Sequence, residues 1–176
     1  MSYDIHCYRS ERGEPDLEEA QNSIESEESD TVGQSTSQLD LLKALTEFNP
    51  RLEAFNLDQG EMAKSGSTSV EEEESKYDYI ELNPPEGDLA IQITINANSV
   101  SLTVPYWYAG DQAKQVFKTL MDYLRIIRKT SGYFVYDPQT DQVFDPVTTN
   151  IKGLDIYLQA TNGVGKSGKK PWWKLW

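Results

Sequence analysis

Two alternating apolar runs between residues 89 and 104 constrain the fold most strongly. Apolar side chains recur at every second position from Leu89 to Ile95, and again from Val100 to Val104. A period of two is typical of a strand with one buried face. The short Asn-rich link at residues 96–98 joins the two runs, and the whole segment therefore predicts an antiparallel hairpin.

A long amphipathic helix is predicted directly after the hairpin, over residues 111–130. Its apolar side chains recur at spacings of three and four, at Ala113, Val116, Phe117, Leu120, Tyr123, Leu124 and Ile127. Gly132 is a typical left-handed stop for such a helix. Burial of seven such side chains contributes on the order of 10–15 kcal/mol gross, so we expect this helix to be the main cover of the core.

The remaining patterns predict short strands and a second helix. A capping pattern at residues 37–40 begins a helix over residues 38–48, whose apolar face is Leu41, Leu42, Leu45 and Phe48. A second capping pattern at residues 69–72 predicts a short solvated helix. Residues 3–8, 77–82, 133–136, 143–144 and 156–158 are strand-like. Strands that follow strands, with one long helix between them, favour an α+β fold over a doubly wound one. We expect a single α+β domain over residues 1–161, with an antiparallel sheet of about four to six strands covered on one face by the two helices.

The charge of the chain is unevenly placed. The net charge is −13, but residues 1–88 hold 23 acidic and 6 basic residues, whereas residues 89–176 hold 6 acidic and 10 basic residues. Much of the acidity lies in residues 10–37, where Leu17, Ala20 and Ile24 allow one short helix and little else can be buried. We expect a mobile acidic segment there, and a flexible linker with a Trp-rich tail over residues 162–176.

Composition disfavours several classes of protein. The negative charge argues against nucleic acid as a partner, because such binders need a surface that neutralises phosphates. The longest apolar runs span only a few residues, so neither a transmembrane helix nor a secretory signal is predicted. A lone Cys7 excludes an internal disulfide framework and favours a reducing compartment. We therefore expect a cytoplasmic protein.

No set of residues has the pattern of a catalytic or metal centre. His6 is the single histidine, and the strand pattern points its neighbour Cys7 to the opposite face. Residues 160–167 differ from a phosphate-binding loop at the first glycine, and the nine residues after them leave no room for the helix that such a loop needs. Without a constellation of this kind, we expect no catalytic residues, no metal and no cofactor.

Two features are more typical of binding surfaces. The first is the basic side of the long helix, formed by Lys114, Lys118, Arg125, Arg128 and Lys129, which is typical of a solvated face and also suits an acidic partner or the acidic segment of the chain itself. The second is the tail with Trp172, Trp173 and Trp176, because exposed aromatic patches mark interaction sites. The tail suits a membrane surface, a protein partner or a groove of its own domain, for which Tyr106, Trp107 and Tyr108 are candidates.

Two short patches of the sequence resemble a group of small bacterial proteins of unknown function. The opening MSYD is one patch, and the other is the helix, Gly132, strand and YDPQ at residues 136–139. The resemblance implies an α+β cytoplasmic domain, and some of these proteins are thought to be immunity partners of bacterial toxins. No functional residue follows from it.

Three functions remain open from the sequence. The first is a non-catalytic cytoplasmic protein that binds another protein, in the manner of an immunity-type inhibitor, since an acidic inhibitor suits a cationic target. The second is a peripheral membrane adaptor held by the Lys/Trp tail. The third is a small enzyme that uses carboxylates. The identity of the partner and the oligomeric state are unknown at this stage.

Overall fold

The computed structural model describes residues 2–25, 36–55 and 79–148, together with Tyr157. The helices in these ranges are α1 (Leu17–Glu25), α2 (Thr36–Phe48) and α3 (Gly110–Ser131). The strands are β1 (Ser2–Tyr8), β2 (Glu53–Phe55), β3 (Ile80–Asn83), β4 (Gln92–Ile95), β5 (Ser99–Pro105), β6 (Phe134–Asp137) and β7 (Gln142–Phe144).

All seven described strands belong to one antiparallel sheet. Their order is β2-β3-β4-β5-β1-β6-β7, so that the first strand of the chain lies near the middle. This confirms the predicted α+β class. The sheet has one strand more than the upper end of the predicted range, and β2 lies in a stretch that the sequence analysis left without a strand. Three residues are too few to show a period of two.

The main core lies between one face of the sheet and the helices α2 and α3. All seven predicted apolar positions of α3 are buried, as are Tyr3, Ile5 and Cys7 of β1. Gly132 ends α3 with a φ of 77°, and its N–H donates to the Arg128 carbonyl oxygen at 2.9 Å. The predicted helix and its stop are thus confirmed.

One predicted core position and one predicted strand differ from the structure. Phe48, the last residue of α2, is 48 % exposed and contacts the ring edge of Tyr123, because the helix ends where the core does. Tyr157 has a helical backbone, so the strand predicted through residues 156–158 is wrong at its centre. Residues 156 and 158 themselves lie outside the described ranges.

The opposite face of the sheet is covered in part by α1. Ala20 of this helix is buried in a second apolar cluster with Tyr8, Phe134 and Tyr136. The Tyr8 hydroxyl accepts from the Asp16 N–H at 2.8 Å and donates to the Asp16 carbonyl oxygen at 2.9 Å, which fixes the start of α1. The expectation that helices cover only one face of the sheet is therefore wrong. Within the segment expected to be mobile, Leu17, Ala20 and Ile24 belong to this apolar cluster.

Several predictions lie outside the described residues. They concern the acidic stretch 26–35, a capping pattern at residues 69–72, the loop-like segment 160–167, and the linker and tail at 162–176. The boundary placed at residue 161 likewise stays a prediction.

Candidate functional site

The aromatic side chains that follow β5 differ in exposure. Tyr106 stacks on Tyr157 with ring centroids 5.7 Å apart. Tyr108 is buried, and its hydroxyl accepts a hydrogen bond from the Ala90 N–H at 2.7 Å. Trp107 is 63 % exposed. Within this predicted interaction set, the tyrosines contribute to packing and Trp107 is the member available to a partner.

Tyr157 fixes the later part of the chain to one end of the sheet. Its ring is 1 % exposed and packs against those of Tyr3, Tyr106 and Phe117. Its hydroxyl donates to the Pro105 carbonyl oxygen at 2.8 Å. Burial raises the pKa of this hydroxyl above its usual value. The chain therefore passes the end of β5 before it continues to the Lys/Trp tail.

The tail itself adds no described contact. Its three tryptophans, Trp172, Trp173 and Trp176, lie outside the described residues, as do the lysines between residues 166 and 174. These members of the predicted interaction set therefore stay predictions.

The basic side of α3 is partly neutralised by acids of the same helix. Its five predicted basic residues are Lys114, Lys118, Arg125, Arg128 and Lys129. Lys114 Nζ lies 3.0 Å from Asp111 Oδ1, and Arg125 Nη1 lies 3.0 Å from Asp122 Oδ1. The other two lysines are exposed and form no ion pair with the residues described. Exposed pairs contribute at most about 1 kcal/mol to stability, but they reduce the positive field that an acidic partner would meet.

Arg128, on the same helix, is part of the fold. Its guanidinium lies 3.0 Å from a carboxylate oxygen of Asp145 and 3.9 Å from the centroid of the Phe134 ring. It also donates to the Gly132 carbonyl oxygen. These contacts join the end of α3 to the hairpin of β6 and β7, so Arg128 is not available for a partner.

A second surface is the polar face of β1–β5 that points away from α2 and α3, which we call the open face. In one row, the register places Glu81 beside Thr94, Thr94 beside Ser101, and Ser101 beside His6. In the next row, Gln92 lies beside Thr103 and Thr103 beside Asp4. The face also includes Glu53, Phe55 and Asn83. Every one of these side chains is half-buried or exposed.

The open face is acidic. Strands β1–β5 contain no Lys or Arg, whereas Asp4, Glu53 and Glu81 carry carboxylates on this face. The Ser2 hydroxyl donates to Asp4 Oδ2 at 2.9 Å, and the Asn83 side-chain amide donates to Glu81 Oε1 at 2.7 Å. None of the three carboxylates forms an ion pair with a described residue. The face therefore presents uncompensated negative charge.

This surface is not evident from the sequence, because the alternation shows which side chains point away from the core but not which side chains of other strands lie beside them. One signal could have found it. The chain holds 16 Lys+Arg, yet none falls in the five strands that form this face. The polar positions of an ordinary solvated face carry both signs of charge.

The side chains of His6 and Cys7 lie on opposite faces of the sheet and cannot act together. His6 lies on the open face, whereas Cys7 is buried on the other face. Burial raises the pKa of the Cys7 thiol above its usual value, which suppresses the reactive thiolate. Within residues 2–25, 36–55, 79–148 and Tyr157, no group of three or more His, Cys, Asp or Glu side chains could hold a metal ion.

The two patches that carry the sequence resemblance contact each other. The Tyr3 hydroxyl donates to Asp137 Oδ2 at 2.6 Å, and the Gln139 N–H donates to Asp137 Oδ1 at 2.9 Å. Both Tyr3 and Asp137 are buried. Burial, and then the bond to this carboxylate, raises the pKa of Tyr3. The contact holds the turn between β6 and β7 against β1, so its role is structural.

Comparisons with protein-family models, with curated proteins and with solved structures find no match for this chain. Among the helices of the described ranges, none has the length and apolar character needed to cross a membrane. The surfaces of the protein itself are thus the basis for inferring its function.

Proposed function

We propose that this chain is a non-catalytic interaction protein that binds a cationic protein partner through the open face. The observation that carries the proposal is the acidic surface of β1–β5, where Asp4, Glu53 and Glu81 lack a basic counterpart among the described residues. The basic side of α3 is the weaker candidate, because Asp111, Asp122 and Asp145 pair with three of its five predicted basic residues.

The chemistry of the open face suits a basic polypeptide. A field of one sign accelerates the encounter with an oppositely charged partner and orients it. Asp4 and Glu81 lie on different strands, so a partner must present several cations at once to meet both. Phe55, at the β2 edge of the face, is 51 % exposed and offers an apolar contact of the kind that strengthens protein interfaces.

An immunity-type inhibitor of a bacterial toxin is one form of this function. It is the form that the sequence resemblance implies, and it agrees with an acidic surface that would cover a basic target. The cytoplasm, where such an inhibitor protects the cell that makes it, is part of the same proposal.

Affinity capture with matched variants tests the proposal. The open-face variant D4N/E53Q/E81Q removes three negative charges while it keeps the shape of each side chain. The helix-side variant D40N/E47Q/D111N removes three negative charges from α2 and α3. Both full-length variants and the wild type are used to capture proteins from a lysate of the source organism at moderate salt, and retained proteins are quantified by mass spectrometry.

We expect a basic protein that the wild type and the helix-side variant retain and that the open-face variant loses. Loss of three charge contacts, each worth about 0.5 kcal/mol, weakens binding about tenfold. Purified partner is then titrated into each chain by calorimetry. Equal affinity for all three chains would contradict binding through the open face, and a chain that retains no protein would contradict the interaction function itself.

A further inference from the structure

Tyr157 places the tail within reach of the open face. Its hydroxyl bonds Pro105, and Pro105 pairs with Ser2, the residue that begins β1 beside Asp4. The nine residues from Tyr157 to Lys166 span up to about 30 Å when extended. Strands lie about 4.8 Å apart, so the open face from β1 to β2 is about 19 Å wide. The lysines of the tail can therefore meet each acid of this face.

The charges of the tail complement the open face and oppose the other side of the molecule. Residues 156–176 contain four lysines and no acid, at Lys166, Lys169, Lys170 and Lys174. The strands of the open face carry three carboxylates and no Lys or Arg, whereas α2 and α3 together carry six basic and four acidic residues, among them the exposed lysines Lys118 and Lys129. Attraction to the carboxylates of the open face and repulsion from the net positive charge of α2 and α3 both favour a tail that lies on the open face.

The open face also offers an apolar contact for the tryptophans of the tail. Tryptophan side chains bury a large area when they pack, and an isolated exposed cluster of them is unfavourable in water. Phe55 is 51 % exposed and lies at the edge of the open face, in register with Glu81. A Trp ring packed on Phe55 would remain close to the carboxylate of Glu81, which a neighbouring lysine of the tail can pair.

We infer that the Lys/Trp segment 166–176 docks in cis on the open face, with its lysines at Asp4, Glu53 and Glu81 and with its Trp rings near Phe55. The segment thereby occupies the surface that a cationic partner would use. The docking itself does not depend on the proposed function, because it is an intramolecular contact that exists without a partner.

Tryptophan fluorescence of the full chain tests the docking. The chain has four tryptophans, and W107F leaves those of the tail as the reporters. Trp107 is largely exposed, so its replacement leaves the core intact. In the W107F background we expect emission at short wavelength and protection from acrylamide. Adding the open-face substitutions D4N/E53Q/E81Q should lower the ratio of docked to undocked tail about tenfold and raise quenching accordingly. Adding the helix-side substitutions should leave quenching unchanged.

A change in the tail gives an independent test that leaves the described fold untouched. The variant K166Q/K169Q/K170Q/K174Q removes the cations of the full chain. Docking predicts that backbone amide resonances of Thr94, Ser101 and Thr103 shift between this variant and the wild type, while those of α2 do not. Raised salt should produce the same shifts, since screening at about 1 M reduces the Debye length to about 3 Å.

Three results would overturn the inference. The first is equal acrylamide quenching with and without the open-face acids, together with unchanged resonances in the tail variant. The second is protection that rises with protein concentration, which assigns the contact to a second copy. The third is protection that occurs only with vesicles of anionic phospholipid, which assigns the tail to a membrane. Each of these can occur while partner capture succeeds, so the docking and the proposed function can fail separately.

Discussion

The two faces of the central sheet are built from the same strands and have opposite properties. On one face, α2 and α3 cover the apolar side chains, and some of the charged side chains of these helices form ion pairs, such as Arg125 with Asp122. On the open face, β1–β5 present polar side chains, and Asp4, Glu53 and Glu81 lack such pairs among the described residues. One face is therefore part of the core, whereas the other leaves its polar side chains at least partly accessible to solvent.

The largest expected difference between the faces is in stability. Leu102 and Thr103 are neighbours in β5 that point to opposite faces. Leu102→Ala leaves a cavity in the core and should lower the free energy of unfolding by about 3 kcal/mol. Thr103→Ala should lower it by under about 1 kcal/mol. Urea unfolding followed by circular dichroism measures both, and similar losses would contradict the difference between the faces.

A smaller loss of unfolding free energy is expected when the buried carboxylate of Asp137 loses its hydrogen bond. Asp137 is buried and depends on the Tyr3 hydroxyl, so Tyr3→Phe should cost about 1–3 kcal/mol of unfolding free energy. The matched control is Tyr106→Phe, because this neighbouring ring is half-buried and its hydroxyl is not among the described hydrogen bonds. Chemical denaturation of both variants measures the two losses of unfolding free energy. Equal losses would mean that the hydroxyl bond to Asp137 is unimportant.

The core face should also lose stability at high pH. The pKa of Tyr3 and that of Tyr157 are raised in the folded protein, mainly by burial. Their contribution is therefore complete below the unfolded pKa of about 10 and is lost as the pH rises above it, by about 1.4 kcal/mol per pH unit for each tyrosine. Tyr3→Phe should make this decline shallower, whereas Leu102→Ala should leave its slope unchanged. Urea midpoints across alkaline pH measure the slopes.

The smallest expected effect is that of the open-face acids on stability. In the background K166Q/K169Q/K170Q/K174Q, which removes the cations of the tail, the substitutions D4N/E53Q/E81Q should change the free energy of unfolding by no more than about 0.5 kcal/mol, in the stabilising direction at low salt, because mutual repulsion is removed. Urea unfolding at low and at high salt measures this change in the free energy of unfolding. A loss of several kcal/mol would show that these acids are part of the fold, and the comparison of the two faces would then need revision.

The parts of the fold that sequence predicts best are those with a long periodic signal. The stripe of α3 from Ala113 to Ile127 spans four turns, and Gly132 ends it with a conformation that few other residues adopt easily. The alternation around Ile93 and Leu102 likewise identifies β4 and β5. In each case many residues follow the same pattern of burial, so a single tertiary contact does not change the type of element that forms.

Other features have no periodic signal in the sequence. β2 has three residues, and its pairing with β3 is decided by the sheet edge that β3 provides. The contact of Tyr3 with Asp137 joins positions 134 residues apart, where no pattern links them. The open face required the fold as well, because only the register of five strands shows that Asp4 and Glu81 share a surface.

The central position of β1 has a consequence for synthesis of the chain. Residues 2–8 are made long before their partners, because they pair with β5 at residues 99–105 and with β6 at residues 134–136. At about 5–20 residues per second, the ribosome needs on the order of ten seconds to produce both partners. During that time Tyr3, Ile5 and Cys7 have no sheet to join, whereas the hairpin of β4 and β5 can form as soon as it emerges. Closure around β1 is therefore a late, non-local step in folding, and the nascent chain exposes an aggregation-prone strand until it is complete.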